Sequence, residues 1–103
     1  MKPAWVLLWA LGLGACSEGP AGGEAAARGR NIYLTQCIAC HASDPSQAGP
    51  VGPPVKGSSL ELLETKVVRG AYPSGYMPKR NTALMTPMPQ LAASIPDLAA
   101  FLR

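Results

Sequence analysis

Two cysteines and a histidine stand close enough together in the sequence to act as one chemical unit. Cys37 and Cys40 are separated by two residues, and His41, the only histidine of the 103-residue chain, follows directly. At the end of a helix, this spacing lets each thiol form a thioether to one vinyl group of a haem, while the next residue places its imidazole under the iron. The motif therefore predicts one covalently attached c-type haem with His41 as an axial ligand.

Three other uses of the same motif compete with haem attachment. A thioredoxin-like redox pair has the same cysteine spacing, but that fold needs parallel strands, and the chain shows no strand pattern. A zinc site needs about four ligands, so the single histidine and two spare cysteines fall short. A simple disulfide suits an exported protein, but it leaves His41 without a role. Only haem attachment uses all three residues.

Methionines are the candidates for the second axial position of the iron. Because His41 is the only histidine, a second imidazole cannot come from this chain. A methionine thioether is a common partner of histidine in electron-transfer haems, where it raises the reduction potential. Met77, Met85 and Met88 all lie in the long segment before the C-terminal residues. A methionine can equally be core filler, so the residues alone leave all three open.

Three helices are predicted to position this motif, and the fold class is all-α. The first covers about 24 to 40, the second about 59 to 69, and the third 95 to 103. Two long loops, 42 to 57 and 71 to 93, separate them. Loops of this length are unusual in a small domain unless they serve a function, and wrapping a flat cofactor accounts for both. Apolar residues share one face in the second and third helices: Leu60, Leu63 and Val67, then Ile95, Leu98, Phe101 and Leu102.

Capping residues predict where the second and third helices begin and end. Ser58 with Glu61, and Ser94 with Asp97, have the spacing of a capping box. Gly70 offers a stop after the second helix. The third helix is too short to persist alone in water, so we expect it to dock on the first.

Composition limits the size of the core and the class of partner. With 11 glycines and 11 prolines in 103 residues, the chain is expected to form one small, loop-rich domain. Both tryptophans lie near the N-terminus, which leaves few large apolar residues for a core, and domains this small commonly rely on a cofactor or cross-link. The net charge is only +3 and the basic residues form no run, which argues against nucleic-acid binding.

The N-terminal residues predict export and attachment to a membrane. Lys2 precedes an apolar stretch over 4 to 13, which is typical of a secretory signal and too short for a permanent span. Residues 13 to 16, Leu-Gly-Ala-Cys, resemble the lipobox of bacterial lipoproteins, which implies lipidation of Cys16; an ordinary signal with a stray cysteine is the alternative. We therefore predict three segments: a signal peptide at 1–15, a lipidated flexible tether at 16–27, and a folded domain at 28–103.

The predicted domain resembles the class I, mono-haem cytochrome c family, here in a bacterial lipoprotein form. Besides the haem motif, Gly29 and Tyr33 match a small residue and an aromatic in the first helix of that family, and Phe101 matches the aromatic of the last. The resemblance implies a small cytochrome c fold with about three helices and long loops around one haem. It also implies that these three residues bring the first and last helices together.

The resemblance also suggests how His41 is oriented. Residues 52 to 57, Gly-Pro-Pro-Val-Lys-Gly, are similar to the family segment in which a proline carbonyl accepts the free imidazole N–H. Pro53 would fill this role, with Pro50 as the competitor. Such a contact fixes the ring and its tautomer.

The family pattern selects among the methionines as well. In bacterial members the ligand lies about sixteen residues before the aromatic of the last helix, which is a motif rule. Met85 lies 16 residues before Phe101, and Met88 lies 13 before it. The Met-Pro dipeptide common in the family instead favours Met88. Met85 is the preferred ligand and Met88 the rival.

A haem iron with both axial positions filled has no place for a substrate, so we expect a single-electron carrier and not an enzyme. The resemblance implies redox proteins as electron donor and acceptor, a location on the periplasmic side of a bacterial membrane, and no small-molecule substrate or nucleic acid as partner. One alternative is a haem subunit docked permanently to a larger dehydrogenase or oxidase. Another is a haem enzyme or gas sensor with a labile sixth ligand.

Overall fold

The computed structural model describes residues 23 to 103, which form helices and loops with no β-strand in that range. The all-α class is confirmed. The predicted signal segment, most of the predicted tether, and Cys16 lie outside the described residues. Within them, no helix combines the length and apolar character needed to cross a bilayer. The helical elements are α1 (Gly23–Gln36), α2 (Leu60–Leu63), a π-helical turn (Glu64–Val68), a 3₁₀ helix (Pro89–Ser94) and α3 (Ile95–Leu102).

The first and last helices pack directly on each other, as predicted. Gly29 makes this possible, because a Cβ there would lie 2.6 Å from the Asp97 carbonyl carbon and 3.0 Å from the Leu98 nitrogen. The rings of Tyr33 and Phe101 meet nearby, with their centroids 5.5 Å apart and their planes tilted by 49°. The backbone approach at Gly29 therefore sets how closely α1 and α3 lie.

An ion pair lies beside this helix contact. The Arg28 guanidinium donates two hydrogen bonds to the Asp97 carboxylate, at 2.9 and 3.1 Å. These bonds hold the pKa of the Asp97 carboxyl below its ordinary value. Arg28 and Asp97 are 69 residues apart in sequence, so the pair links the two ends of the domain.

A small buried core joins the helices. Among residues 23 to 103 it has six members, which come from α1, α2, the π-helical turn and α3: Tyr33, Leu63, Val67, Ile95, Leu98 and Leu102. Leu63 and Val67 are buried as their predicted helical face requires, whereas Leu60 of the same predicted face is 47% exposed. A core of this size is thin for the domain and agrees with the expectation that a cofactor completes it.

The boundaries of α1 differ from the predicted ones. The helix begins at Gly23, inside the predicted tether and before the predicted domain start at 28. It ends at Gln36, and not at Cys40, because the chain then closes a tight turn in which the amides of Cys40 and His41 both donate to the Cys37 carbonyl. The cysteines thus lie in a turn that reverses the chain toward His41.

The capping boxes predicted for α2 and α3 do not form, although α3 begins at Ile95, directly after Ser94, as predicted. Ser59, and not Ser58, caps α2 by accepting a bond from the Leu62 amide at 3.1 Å, while the Ser58 hydroxyl donates to the Val55 carbonyl. Ser94 makes no capping bond: the 3₁₀ helix runs straight into α3, so this residue has helical dihedral angles and not the extended ones of a cap.

The remaining ends agree more closely with the sequence. Gly70 adopts a φ of 71°, the left-handed conformation that the predicted stop requires. Between α2 and Gly70 the chain forms the π-helical turn, which sequence patterns did not indicate. The third helix ends at Leu102, close to the predicted end. The 42 to 57 segment is irregular as predicted, whereas the 71 to 93 segment ends in the 3₁₀ helix.

Candidate cofactor site

A cavity of about 480 Å³ opens between the two long loops, and the predicted cofactor-binding residues line it. Cys37, Cys40 and His41 form one side, and Met85 and Met88 come from the loop before α3. These residues are spread over more than 50 positions of sequence and are brought together only by the fold. The spacing motif and the methionine loop therefore belong to one site.

A carbonyl oxygen fixes the orientation of the His41 ring. Nδ1 lies 2.9 Å from the Pro53 oxygen. Because a carbonyl can only accept, Nδ1 must carry the proton, which leaves the lone pair of Nε2 free for a metal. Pro53 thus stands where the resemblance places the orienting proline, and Pro50 makes no such bond.

The loop that carries Pro53 lies directly against the imidazole. A Cβ at Gly52 would lie 2.5 Å from His41 Nδ1 and 2.9 Å from Nε2, so only glycine fits there. The Cys40 carbonyl accepts hydrogen bonds from the amides of Val51 and Gly52, at 3.1 and 2.8 Å. The ring is therefore clamped between its own turn and the following loop.

Tyr33 ties the same turn back to α1. Its hydroxyl donates to the Ala42 carbonyl at 2.5 Å, and its side chain is only 1% exposed. Burial raises the pKa of this phenol, so it stays protonated and remains a donor at neutral pH. The helix contact and the site are thus joined through one residue.

The two cysteines differ in environment. Cys37 is partly buried, and burial raises the pKa of its thiol to about 11, whereas Cys40 is exposed. Both face the cavity. Two cysteine side chains at the two ends of one turn, both facing one cavity, are the arrangement that double thioether attachment needs.

The structure separates the three candidate methionines into two classes. Met85 and Met88 are partly buried, pack on the core and line the cavity. Met77 is 84% exposed and is not among the cavity-lining residues. Only Met85 and Met88 are therefore placed to meet a group bound beside His41.

Cations contribute the charge of the cavity lining. Among residues 23 to 103, Lys66, Lys79 and Arg80 line it and no aspartate or glutamate does. Lys66 lies 4.4 Å above the centre of the Tyr72 ring, and Tyr72 in turn stacks on Tyr76 at 5.4 Å. These five residues, Lys66, Tyr72, Tyr76, Lys79 and Arg80, form the rim of the cavity. The π-helical turn brings Lys66 there, and no sequence pattern gave a signal for it.

The lining fits a haem and does not fit a bare metal ion. Among residues 23 to 103, no three histidine, cysteine, aspartate or glutamate side chains cluster as a metal site would require. The lining instead offers two cysteine side chains, one imidazole nitrogen without a hydrogen bond, two thioethers and apolar side chains. Its cations suit the two propionates of a porphyrin. Each of these features matches one part of that cofactor.

One curated protein is clearly related in sequence. Cytochrome c-554(548) of Halomonas halodenitrificans is 39% identical over 67 residues, which cover 63% of this chain and 78% of that protein. No family model matches the chain. No solved structure matches it either.

Proposed function

Because the chain belongs to the cytochrome c family, we propose that it is an exported single-electron carrier whose haem iron is bound by His41 and Met85 and whose Cys16 is attached to a membrane. Family membership itself brings a covalent c-type haem and a role in electron transfer. The observation that carries the proposal is the cavity that Cys37, Cys40, the oriented imidazole of His41 and two methionines all line.

The residues around the cavity divide the work of holding the haem. Cys37 and Cys40 would attach it through thioethers, and Nε2 of His41 would bind the iron from one side. When bound, the haem supplies an iron that gains and loses one electron. Pro53 and Gly52 keep the imidazole in one tautomer and one orientation, so little rearrangement accompanies the change of charge.

Met85 is our choice for the second axial ligand. It lines the cavity, it is partly buried, and it has the family spacing of 16 residues before Phe101. Met88 shares the first two properties and has the Met-Pro dipeptide in its favour. A thioether in this position keeps the reduction potential higher than a second nitrogen ligand would, which suits a carrier between respiratory or periplasmic proteins.

The rim of the cavity supports redox proteins with an acidic surface as partners. Lys66, Lys79 and Arg80 give the rim positive charge, while Val51 and Leu84, 44% and 70% exposed, add apolar surface. Complementary charge speeds encounter, and a small apolar contact limits how long the complex lasts. A carrier needs both properties, because it must leave one partner to reach the next.

The haem proposal is tested by mass and absorbance. Exported protein made with the haem-attachment machinery should exceed the mass of the processed polypeptide by one haem, plus any lipid, and should show distinct reduced and oxidised spectra. The same chain made without that machinery is the control and should lack both features. A polypeptide with no haem mass in the first preparation would rule out the proposed carrier.

Membrane attachment through Cys16 makes a separate prediction. The variant Cys16→Ser should move from the membrane fraction to the soluble periplasmic fraction and should lose the mass of the acyl chains, because several chains are needed for stable anchoring. Ser17→Ala, one residue further on, should stay in the membrane fraction. Wild-type protein found only in the soluble fraction would show that residues 13 to 16 are not a lipobox.

A further inference from the structure

The segment from 77 to 87, which carries Met85, has few attachments to the rest of the domain. In the described part of the chain, one hydrogen bond joins it to another segment: Lys79 Nζ donates to the Pro54 carbonyl at 2.8 Å. Most of its side chains are exposed, and Met85 is the partly buried exception. Its position therefore depends on what holds the two ends of this segment.

The C-terminal end of the segment is held firmly. The Met88 amide donates to the Val67 carbonyl at 2.6 Å. Pro87 packs against Gly70, where a Cβ would lie 2.5 Å from its Cγ. Met88 is thus fixed by its own backbone, whereas Met85 lies between this anchor and the bond from Lys79.

The acceptor of the Lys79 bond belongs to the other side of the cavity. Pro54 directly follows Pro53, whose carbonyl orients His41. Both prolines have a restricted backbone, so this acceptor is part of a stiff segment. One side chain therefore joins the loop that carries the methionines to the loop that orients the imidazole, across the cavity that both loops line.

We infer that Lys79 is a positioning residue, which closes the methionine loop over the haem and slows the departure of Met85 from the iron. The inference rests on the proposed haem with Met85 as a ligand. Without the Lys79–Pro54 bond, the part of the loop that is free to move extends back toward Tyr76. Opening of the loop then breaks no hydrogen bond to Pro54, so it costs less free energy. Because a single exposed hydrogen bond contributes modestly, loss of the bond should raise the open population by about three- to tenfold.

The test is the rate at which neutral imidazole replaces the sixth ligand of the oxidised holoprotein, since replacement requires the methionine to leave. Lys79→Ala should react about three- to tenfold faster than wild type. Lys79→Arg, which keeps a cationic donor, should return toward the wild-type rate. Arg30→Ala removes the same charge from an exposed position of α1, away from the cavity, and should react as wild type does.

The outcomes separate this inference from the proposed function. If wild-type protein shows a sulfur-to-iron charge-transfer band, but Lys79→Ala reacts with imidazole no faster than Arg30→Ala, the positioning role of Lys79 is overturned while the carrier stands. If the wild-type protein has no such band, methionine ligation itself fails. An unchanged band in Lys79→Ala together with faster replacement supports a role in closing the loop, because a merely structural defect would weaken the band as well.

Discussion

Replacing Met85 with alanine should abolish the weak sulfur-to-iron charge-transfer band of the oxidised protein and lower its midpoint potential. The band arises only when a thioether sulfur is bound to ferric iron. Its loss would leave the sixth position to water or a nitrogen donor, and axial ligands set haem potentials over a span of roughly 0.8 V. Absorbance of the oxidised holoprotein and a potentiometric titration measure the two effects.

Met88→Ala is the matched control for this prediction. Met88 is the same residue type, lies three positions later, is also partly buried and lines the same cavity. Because its amide is bound to the Val67 carbonyl, its backbone should keep its place when the side chain is shortened. The band should therefore persist. Loss of the band in Met88→Ala and its retention in Met85→Ala would transfer the ligand role to Met88.

Met77→Ala supplies a second comparison. Its side chain is 84% exposed and outside the cavity lining, so neither the band nor the potential should change. Each of the three variants replaces a methionine with alanine, so a comparison of their spectra identifies the methionine that binds the iron.

The parts of the site that sequence could predict are those encoded by short patterns. The cysteines and His41 share one five-residue motif, and the structure places all three at one cavity. The Pro53 carbonyl meets His41 where the family segment suggested, since only 12 positions separate them. Gly29 and Tyr33 identified the helix contact, because a close backbone approach selects glycine and a buried ring fills the adjacent space.

The features that the sequence could not predict depend on a choice between neighbouring residues of similar type or on contacts between residues far apart in the sequence. Ser58 and Ser59 are equally good capping residues, but α2 begins at Leu60, so Ser59 takes the N-cap position while the Ser58 hydroxyl donates to the Val55 carbonyl. The bond from Lys79 to Pro54 spans 25 positions and has no local signature. Asp97 fits a capping box by its spacing, but in the fold its carboxylate pairs with Arg28, which lies 69 positions away in the sequence.

The choice between Met85 and Met88 shows the same limit within the site itself. Both have a family pattern in their favour, and both line the cavity. The spacing before Phe101 favours Met85 and the Met-Pro dipeptide favours Met88, so the two sequence patterns disagree. What distinguishes them is the attachment of the backbone, which only the folded chain reveals.

Gly29→Ala should destabilise the folded holoprotein by about 2 kcal/mol. A new Cβ would meet the Asp97 and Leu98 backbone at 2.6 and 3.0 Å, and backbone cannot turn aside as a flexible side chain can. Overpacking of this kind costs about 1–3 kcal/mol, here at the upper end, while the better helix propensity of alanine returns about 1 kcal/mol. Denaturant unfolding followed by far-ultraviolet circular dichroism measures the difference in the free energy of unfolding.

Gly23→Ala makes the same chemical change at the first residue of the same helix, where nothing lies within 4 Å of the new Cβ. It should leave stability unchanged or raise it by up to about 1 kcal/mol. Equal stability of the two variants would mean that α1 and α3 can move apart without cost, and the haem would then be the main element that holds the domain together. A large loss of unfolding free energy in Gly29→Ala alone would show that the contact of α1 with α3, beside which Tyr33 and Phe101 meet, stabilises the domain. The residues that line the cavity would then be held in place by protein packing as well as by the cofactor.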